Sequence, residues 1–393
     1  MPESVPSFGE EFDRMRQGEH ERRIRRELDR VRLDPDAWSS VTDEQVRDVR
    51  RQARRLSAVL PFVSDDVPDE AFIDGSESAT MSFIRDARRF DANLTSEDIY
   101  QAVRNLWVFN SIQGLLGLPV CFTPSSFAYS LLYPYTDNVL DARPGSVRLK
   151  VALMDTIDGW FDGKSCATDD ALLRKVSALL EMIEQEFPRR RFPGVLDNLR
   201  AIHTAQQKSL FLHHPAEGID ESRLVSLTIE KGGTSVLADG FLVRGDLSEG
   251  ESEALFGYGV LLQLIDDLRD LSEDIEAGHS TPFSRALASG RLDAATSRLV
   301  RFAGECCAIL KREERSATGA FHRIIARCSR FMIADAVASY ESFYPASFAA
   351  RVERSCPVRF SFLREMHDRV KDSGRGPGRL ERPAESLAAE RLA

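Results

Sequence analysis

Along most of the chain, apolar residues recur at the three-to-four-residue spacing of amphipathic helices. The runs are broken by helix-ending punctuation at Pro119, Pro144-Gly145, Pro188, Pro193-Gly194 and Pro215. Short alternating apolar runs joined by Asn-Gly or Asp-Gly turns are missing, and no glycine-rich loop follows a strand-like run. The pattern predicts an all-α body over residues 41–370, without a fixed-period repeat. From Glu10 to Arg32 both charge signs are dense and apolar positions few, so residues 1–40 read as a charged N-terminal extension, either a solvated helix or a partner-binding segment. Residues 371–393 begin with DSGRGPGR inside a polar stretch and read as a flexible tail.

Composition narrows the function classes. The 393 residues are 42% hydrophobic and 29% charged, the balance of a soluble globular protein. With 52 Lys+Arg against 62 Asp+Glu the net charge is -10, which argues against a nucleic-acid partner, because phosphate neutralisation needs a basic surface. The longest apolar runs, such as Leu255 to Ile265, fall well short of the ~18 to 20 residues that span a bilayer, so no integral membrane segment is expected. Residues 1–13 have two prolines and four acids where a signal peptide needs a basic start and an apolar stretch, so a cytoplasmic location is expected. Six cysteines without a C-x-x-C pair read as reduced thiols, and seven histidines show no zinc-site spacing.

The chemistry concentrates in VLLQLIDDLRDLSEDI, Val260 to Ile275. Wound as one helix at about 100° per residue, Asp266, Asp267, Asp270, Glu273 and Asp274 share an arc of about 120°, opposite an apolar arc that includes Leu261, Ile265, Leu268 and Leu271. Solvated helix faces ordinarily mix signs. Here like charges stand one and two turns apart, each such pair costing about 0.2 to 0.5 kcal/mol, and divalent cations offer the compensation. A second pair, Asp137 and Asp141 in TDNVLD, lies one turn apart with Asn138 as a neutral oxygen ligand. Such a D-x-x-x-D is weak alone, since Asp158 and Asp162 form another. Two carboxylate clusters facing one another across a cavity would hold Mg²⁺ ions that grip a diphosphate and assist its departure.

At this point the sequence resembles the trans-isoprenyl diphosphate synthases and class I terpene synthases. Gln263-Leu-Ile-Asp266-Asp267-Leu-Arg-Asp270 looks like the second aspartate-rich motif of prenyl synthases. Asp274-Ile-Glu-Ala-Gly278-His279-Ser-Thr281-Pro282 is similar to the family's following D-x-x-x-G-K-x-T-x-P region, with His279 at the lysine position. Glu230-Lys231-Gly232-Gly233-Thr234 resembles the K-T-G segment, whose lysine contacts diphosphate. Gly240 and Tyr258-Gly259 follow in the family's order, and the spacings from Asp137 agree.

The resemblance covers Tyr129 to Pro282 and implies a class I terpenoid synthase-like bundle of long helices around a central cavity. It implies metal ligation by Asp137, Asn138, Asp141, Asp266, Asp267, Asp270 and Asp274, with three Mg²⁺ ions, diphosphate contacts from Lys231 and Arg143, and a homodimer. Phe109, Phe127, Tyr129, Tyr133, Phe241 and Tyr258 are candidates for an aromatic cavity wall, although helix aromatics are ordinarily core.

Departures from the family direct the choice of activity. No G-G-K-R-x-R-P-like loop precedes Asp137, so a second diphosphate has no evident seat, and Asn138 replaces an aspartate. The cyclases' N-D-x-x-S-x-x-x-E motif is absent as well. The expected function is a Mg²⁺-dependent terpene synthase that ionises a prenyl diphosphate. The alternatives are a prenyltransferase using isopentenyl diphosphate or another acceptor, and a non-catalytic helical partner subunit.

Overall fold

Several helices start where a side chain takes up backbone N–H groups that the first turn leaves unpaired, as Asp13, Asp170 and Asp220 do. Thr95 and Asp98 form a reciprocal capping box at one start, and Ser248 and Glu251 form another. The computed structural model describes residues 7–30, 54–55, 59, 70–140, 147–164, 168–209 and 219–372. Among them are α1 (Arg14–Leu28), α2 (Glu70–Phe90), α3 (Ser96–Leu115), α4 (Pro124–Leu140), α5 (Val147–Phe161), α6 (Ala171–Glu186), α7 (Pro193–Ser209) and α8 (Glu221–Arg244). There follow α9 (Glu249–Arg269), α10 (Leu271–Ala277), α11 (Pro282–Ala288), α12 (Leu292–Glu313), α13 (Phe321–Ser339), α14 (Ala346–Arg354) and α15 (Phe360–Asp372). The described residues contain no strand, so the fold is all-α as the periodicity predicts. None of their helices is long and apolar enough to cross a membrane.

Two apolar clusters hold the helices together. One gathers α2 to α8 around Phe83, Leu106, Phe109, Leu131, Leu153 and Leu179. The other joins α9 and α11 to α15 around Leu255, Leu261, Leu268, Leu310, Val337 and Phe360. Helix α8 lies between them, giving Val236 to the second and Ala238 and Leu242 to the first. It is therefore packed on both sides and can hold a side chain in fixed register with each.

The charged N-terminal segment does form a helix, but one face of it is docked rather than solvated. Glu21, 1% exposed at its side chain, binds the Arg359 guanidinium and backbone N–H. The Gln17 amide donates to the carbonyls of Glu353 and Cys356, both at 2.9 Å. These carbonyls close α14 and its following turn, where that of Glu353 also accepts from the Cys356 N–H, so α1 adds a further donor to the end of the helix. Phe8 adds an edge-on contact with Phe348. Helix α15 ends at Asp372, and the tail expected beyond it lies outside the described residues.

The α8–α9 hairpin is locked at its turn by Arg244, whose guanidinium binds the buried Glu251 carboxylate. That bond, followed by the Ser248 N–H, holds the Glu251 pKa down to about 2, from an ordinary 4.5. A carboxyl with a depressed folded-state pKa adds stability above its unfolded value, and that stability is lost as pH falls toward the folded one. Glu251→Gln keeps the cap and the volume but removes the charge. It should cost roughly 2 to 3 kcal/mol at neutral pH, a difference that shrinks as pH falls below about 4.5. Denaturant melts of both proteins at several pH values test this. A gap that is the same at every pH would refute it.

Candidate functional site

The register of three helices sets the site. The Ser125 hydroxyl donates to the Leu242 carbonyl at 3.3 Å, and one helix-length away the hydroxyls of Tyr133 and Ser235 meet at 2.5 Å. Helices α4 and α8 are therefore antiparallel. Asp137, one turn beyond Tyr133, has its backbone level with Lys231, one turn before Ser235. On its other side α8 touches α9 through glycine: a Cβ on Gly232 would stand 2.5 Å from Gln263 Cβ and 2.8 Å from the Gly259 carbonyl. One turn beyond Gln263 comes Asp267, whose Oδ1 accepts from the Gln263 amide at 2.8 Å. The backbone thus brings Asp137, Lys231 and Asp267 to one end of the bundle.

The second acidic cluster is sorted by depth. The helix does not run straight through it, contrary to the sequence expectation: α9 ends at Arg269, Asp270 has φ -89° and ψ 15°, and α10 restarts at Leu271. The Asp270 and Asp274 N–H groups still bond to the carbonyls four residues back, so the break is a local change of direction. Asp267 is 7% exposed, and its Oδ2 has no hydrogen-bond partner among the described residues. Burial, and then Asp266 and Asp270, push its carboxyl up to about 7 against the pull of Gln263 and Lys231. Asp274, half-buried, is pushed up to about 8 by burial and then by Asp267 and Asp270, with Lys231 opposing. Asp270 is exposed at its surface, so solvent screens it more. Its rise, from the surrounding protein and then Asp266 and Glu273, is the smallest of the three, to about 6. Gly278, at φ 73°, turns the chain so that the His279 ring returns to 3.6 Å from Asp274.

Asp266 is half-exposed and faces Arg104 of α3 at 3.6 Å. The same guanidinium acts on Asp270. Arg104 is a cation at the acidic wall that sequence reading missed, because AVRNLW carries no motif and only the packing of α3 brings it there.

Asp137 and Asn138 fall in the last turn of α4, with side chains outside the description, and Asp141 and Arg143 lie outside the described residues. Pro134 is carried inside α4. Among the described residues no group of three His, Cys, Asp or Glu side chains converges to hold a metal ion. The α9–α10 acids line one side of this end of the bundle.

Of the six aromatic candidates, Tyr129 and Tyr133 line a cavity formed by the described residues. It lies between α4, α5, α6 and α7, has about 60 Å³ of free volume, and is also walled by Trp160, Phe161, His203 and Gln206. Phe109 is core, edge-on to Tyr129 at 6.2 Å. Phe127 sits in a ring cluster with Phe83, Phe90 and Phe122. Phe241 packs on Gly194, and Tyr258 belongs to the other apolar cluster, near Cys306 and Cys328. Those four pack against core neighbours, as follows from which face of each helix the neighbours cover.

Among solved structures, the chain is similar to a geranyltransferase from Legionella pneumophila, at 14% identity over 67% of this chain and 96% of that one, with a TM-score of 0.41. No family model and no curated protein matches the sequence.

Proposed function

We propose that this protein is a Mg²⁺-dependent enzyme of the class I isoprenoid type, acting as a terpene synthase on an allylic prenyl diphosphate. The observation that carries this reading is the convergence of Asp137, Lys231 and Asp267 at one end of a helical bundle, from motif segments far apart in the chain. Fit to a cation is supported by the orphaned Asp267 Oδ2 and by carboxyls that burial and mutual repulsion drive upward. Oxygen donors of this kind suit Mg²⁺, which keeps waters and takes substrate phosphate oxygens to complete its shell. Asp266, Asp267, Asp270 and Asp274 would hold it from one wall, with Asp137, Asn138 and Asp141 from the other. When bound, Mg²⁺ supplies Lewis-acid stabilisation of the departing diphosphate.

The chain's own residues do the rest. Lys231 places a positive charge between the two walls and steadies the diphosphate as its negative charge grows, and Arg143 is assigned the same task from the resemblance. Arg104 adds a further cation beside Asp266. The Tyr129, Tyr133, Trp160 and Phe161 rings give the allylic cation π faces and exclude water.

The test is a substrate panel: purified protein with Mg²⁺ and geranyl, farnesyl, geranylgeranyl or geranylfarnesyl diphosphate, each with and without isopentenyl diphosphate. Inorganic diphosphate with a hydrocarbon or alcohol is expected from at least one substrate alone. Longer prenyl diphosphates formed only with isopentenyl diphosphate would replace the synthase reading by the prenyltransferase one. No turnover with any substrate would favour the partner-subunit reading.

A further inference from the structure

Helix α7 presents Leu199, Ile202, His203 and Gln206 as one stripe at helical spacing toward the aromatic cavity. Among these, His203 stands out because a titratable ring is 6% exposed in a mostly apolar wall. Its Nε2 lies 3.0 Å from Asp158 Oδ1 and 3.0 Å from the Gln207 amide. Asp158 is on α5, and its side chain is 54% exposed. The Gln207 atom at that distance is its amide nitrogen, which also lies 3.4 Å from Met154 Sδ. A carboxylate can only accept, so Nε2 is assigned the proton and donates to Asp158, with the Gln207 amide turned to present its oxygen at the expense of the weak sulfur contact. The lone pair then belongs to Nδ1, which has no hydrogen-bond partner among the described residues. Burial, against the pull of Asp158, lowers the His203 pKa, so the ring is neutral near pH 7 and its free nitrogen can accept a proton.

The same cavity reaches toward the proposed diphosphate site. Thr136, which precedes Asp137, lies on its wall, as does Gln206, two residues before the Lys208 that pairs with Glu230 beside Lys231. His203 is five residues along α7 from Lys208, about 7 to 8 Å deeper at the rise of an α-helix. At ~10 to 15 Å³ per water-sized position, the cavity's free volume of about 60 Å³ corresponds to roughly four to six such positions, room for a small apolar group. His203 therefore borders a space that the end of a chain with its head at the carboxylates would enter.

We propose that His203, oriented by Asp158, is the catalytic base that ends the reaction by taking a proton from the carbon next to the final cationic centre. The inference rests on the isoprenoid reading above. Departure of diphosphate takes the C–O electron pair and leaves the cation. In the terminating step the C–H bond breaks, its electron pair forms the C=C bond, and the proton passes to Nδ1. The imidazolium so formed is stabilised by the Asp158 carboxylate and returns its proton to solvent. The alternative is a core histidine, held by Asp158 for packing alone.

Two variants separate these roles. His203→Phe keeps the ring volume against Phe161, and Asp158→Asn keeps the half-exposed neighbour while removing its charge. Each is given geranyl, farnesyl and geranylgeranyl diphosphates with Mg²⁺, and diphosphate release and organic products are measured separately. Diphosphate release within about threefold of wild type, with the principal alkene's share down tenfold or more in His203→Phe and alcohol or other isomers in its place, is the expected result. Asp158→Asn should shift the same ratio in the same direction by a smaller factor. Unchanged product ratios in His203→Phe, with diphosphate still released, overturn the assignment and leave the isoprenoid reading standing. If His203→Phe does not fold, an unchanged ratio in Asp158→Asn overturns it equally. Wild-type protein that releases no diphosphate from any substrate overturns both readings.

Discussion

Replacing Asp266 or Asp270 by alanine is expected to lower turnover by roughly 10²- to 10³-fold or more, the scale on which removing one group that stabilises developing charge acts. Stability should be unchanged or slightly higher. Asp266 gives up one half-exposed contact with Arg104 at 3.6 Å. Such an exposed pair is worth about 0 to 1 kcal/mol, and the substitution also relieves like-charge repulsion of about 0.2 to 0.5 kcal/mol per neighbour. Asp270, pushed up by desolvation and its acidic neighbours, likewise loses more repulsion than attraction. Diphosphate-release kinetics alongside a circular-dichroism melt check both halves. Full activity in either variant, or activity undiminished by EDTA, would remove the metal wall from the mechanism.

Gly259→Ala should destabilise the fold and disable the site together. A Cβ at Gly259 would lie 2.2 Å from the Gly232 carbonyl oxygen and 3.0 Å from Val236 Cβ, so α8 and α9 must separate. Alanine ordinarily stabilises a helix interior by about 1 kcal/mol over glycine, and overpacking a tight contact costs about 1 to 3 kcal/mol, sometimes more. The clash wins here because backbone cannot rotate out of the way. Movement of α8 also carries Lys231 away from Asp267 and Asp274. Gly304→Ala on α12 is the control, since nothing stands within 4 Å of its Cβ, and it should stabilise by up to about 1 kcal/mol. If Gly259→Ala melts at or above the wild-type temperature with full activity, the backbone contact does not set the register.

Helical periodicity was enough to read the all-α class and the amphipathic split of α9, because both depend on residues within two turns of each other. The acidic face around Asp266 and Asp270 was legible, since like charges at helical spacing are a local mark, whereas the Lys231-Gly232-Gly233 segment entered as its companion through the family resemblance alone. Depth within that face was not. Asp267 and Asp266 are neighbours in sequence, yet only Asp267 is buried, because α8 crosses at Gly232 and covers one side of α9.

Partners from distant helices were beyond local pattern for the same reason. Asp158 and Asp162 look alike as a D-x-x-x-D pair, but Asp158 turns to His203 while Asp162 faces Lys164 and Arg200. Arg104 meets Asp266 across more than 160 residues of chain, and Glu21 meets Arg359 across more than 330. By itself the sequence determined which stretches are helical, which faces are apolar and which residue types could bind metal and diphosphate, since these follow from side-chain chemistry and a 3.6-residue repeat. Only the tertiary structure decided which faces meet, and so which acid is desolvated, which aromatic borders a cavity and which histidine has a carboxylate beside it. Those outcomes depend on close contacts between helices whose separation in sequence carries no information about their separation in space.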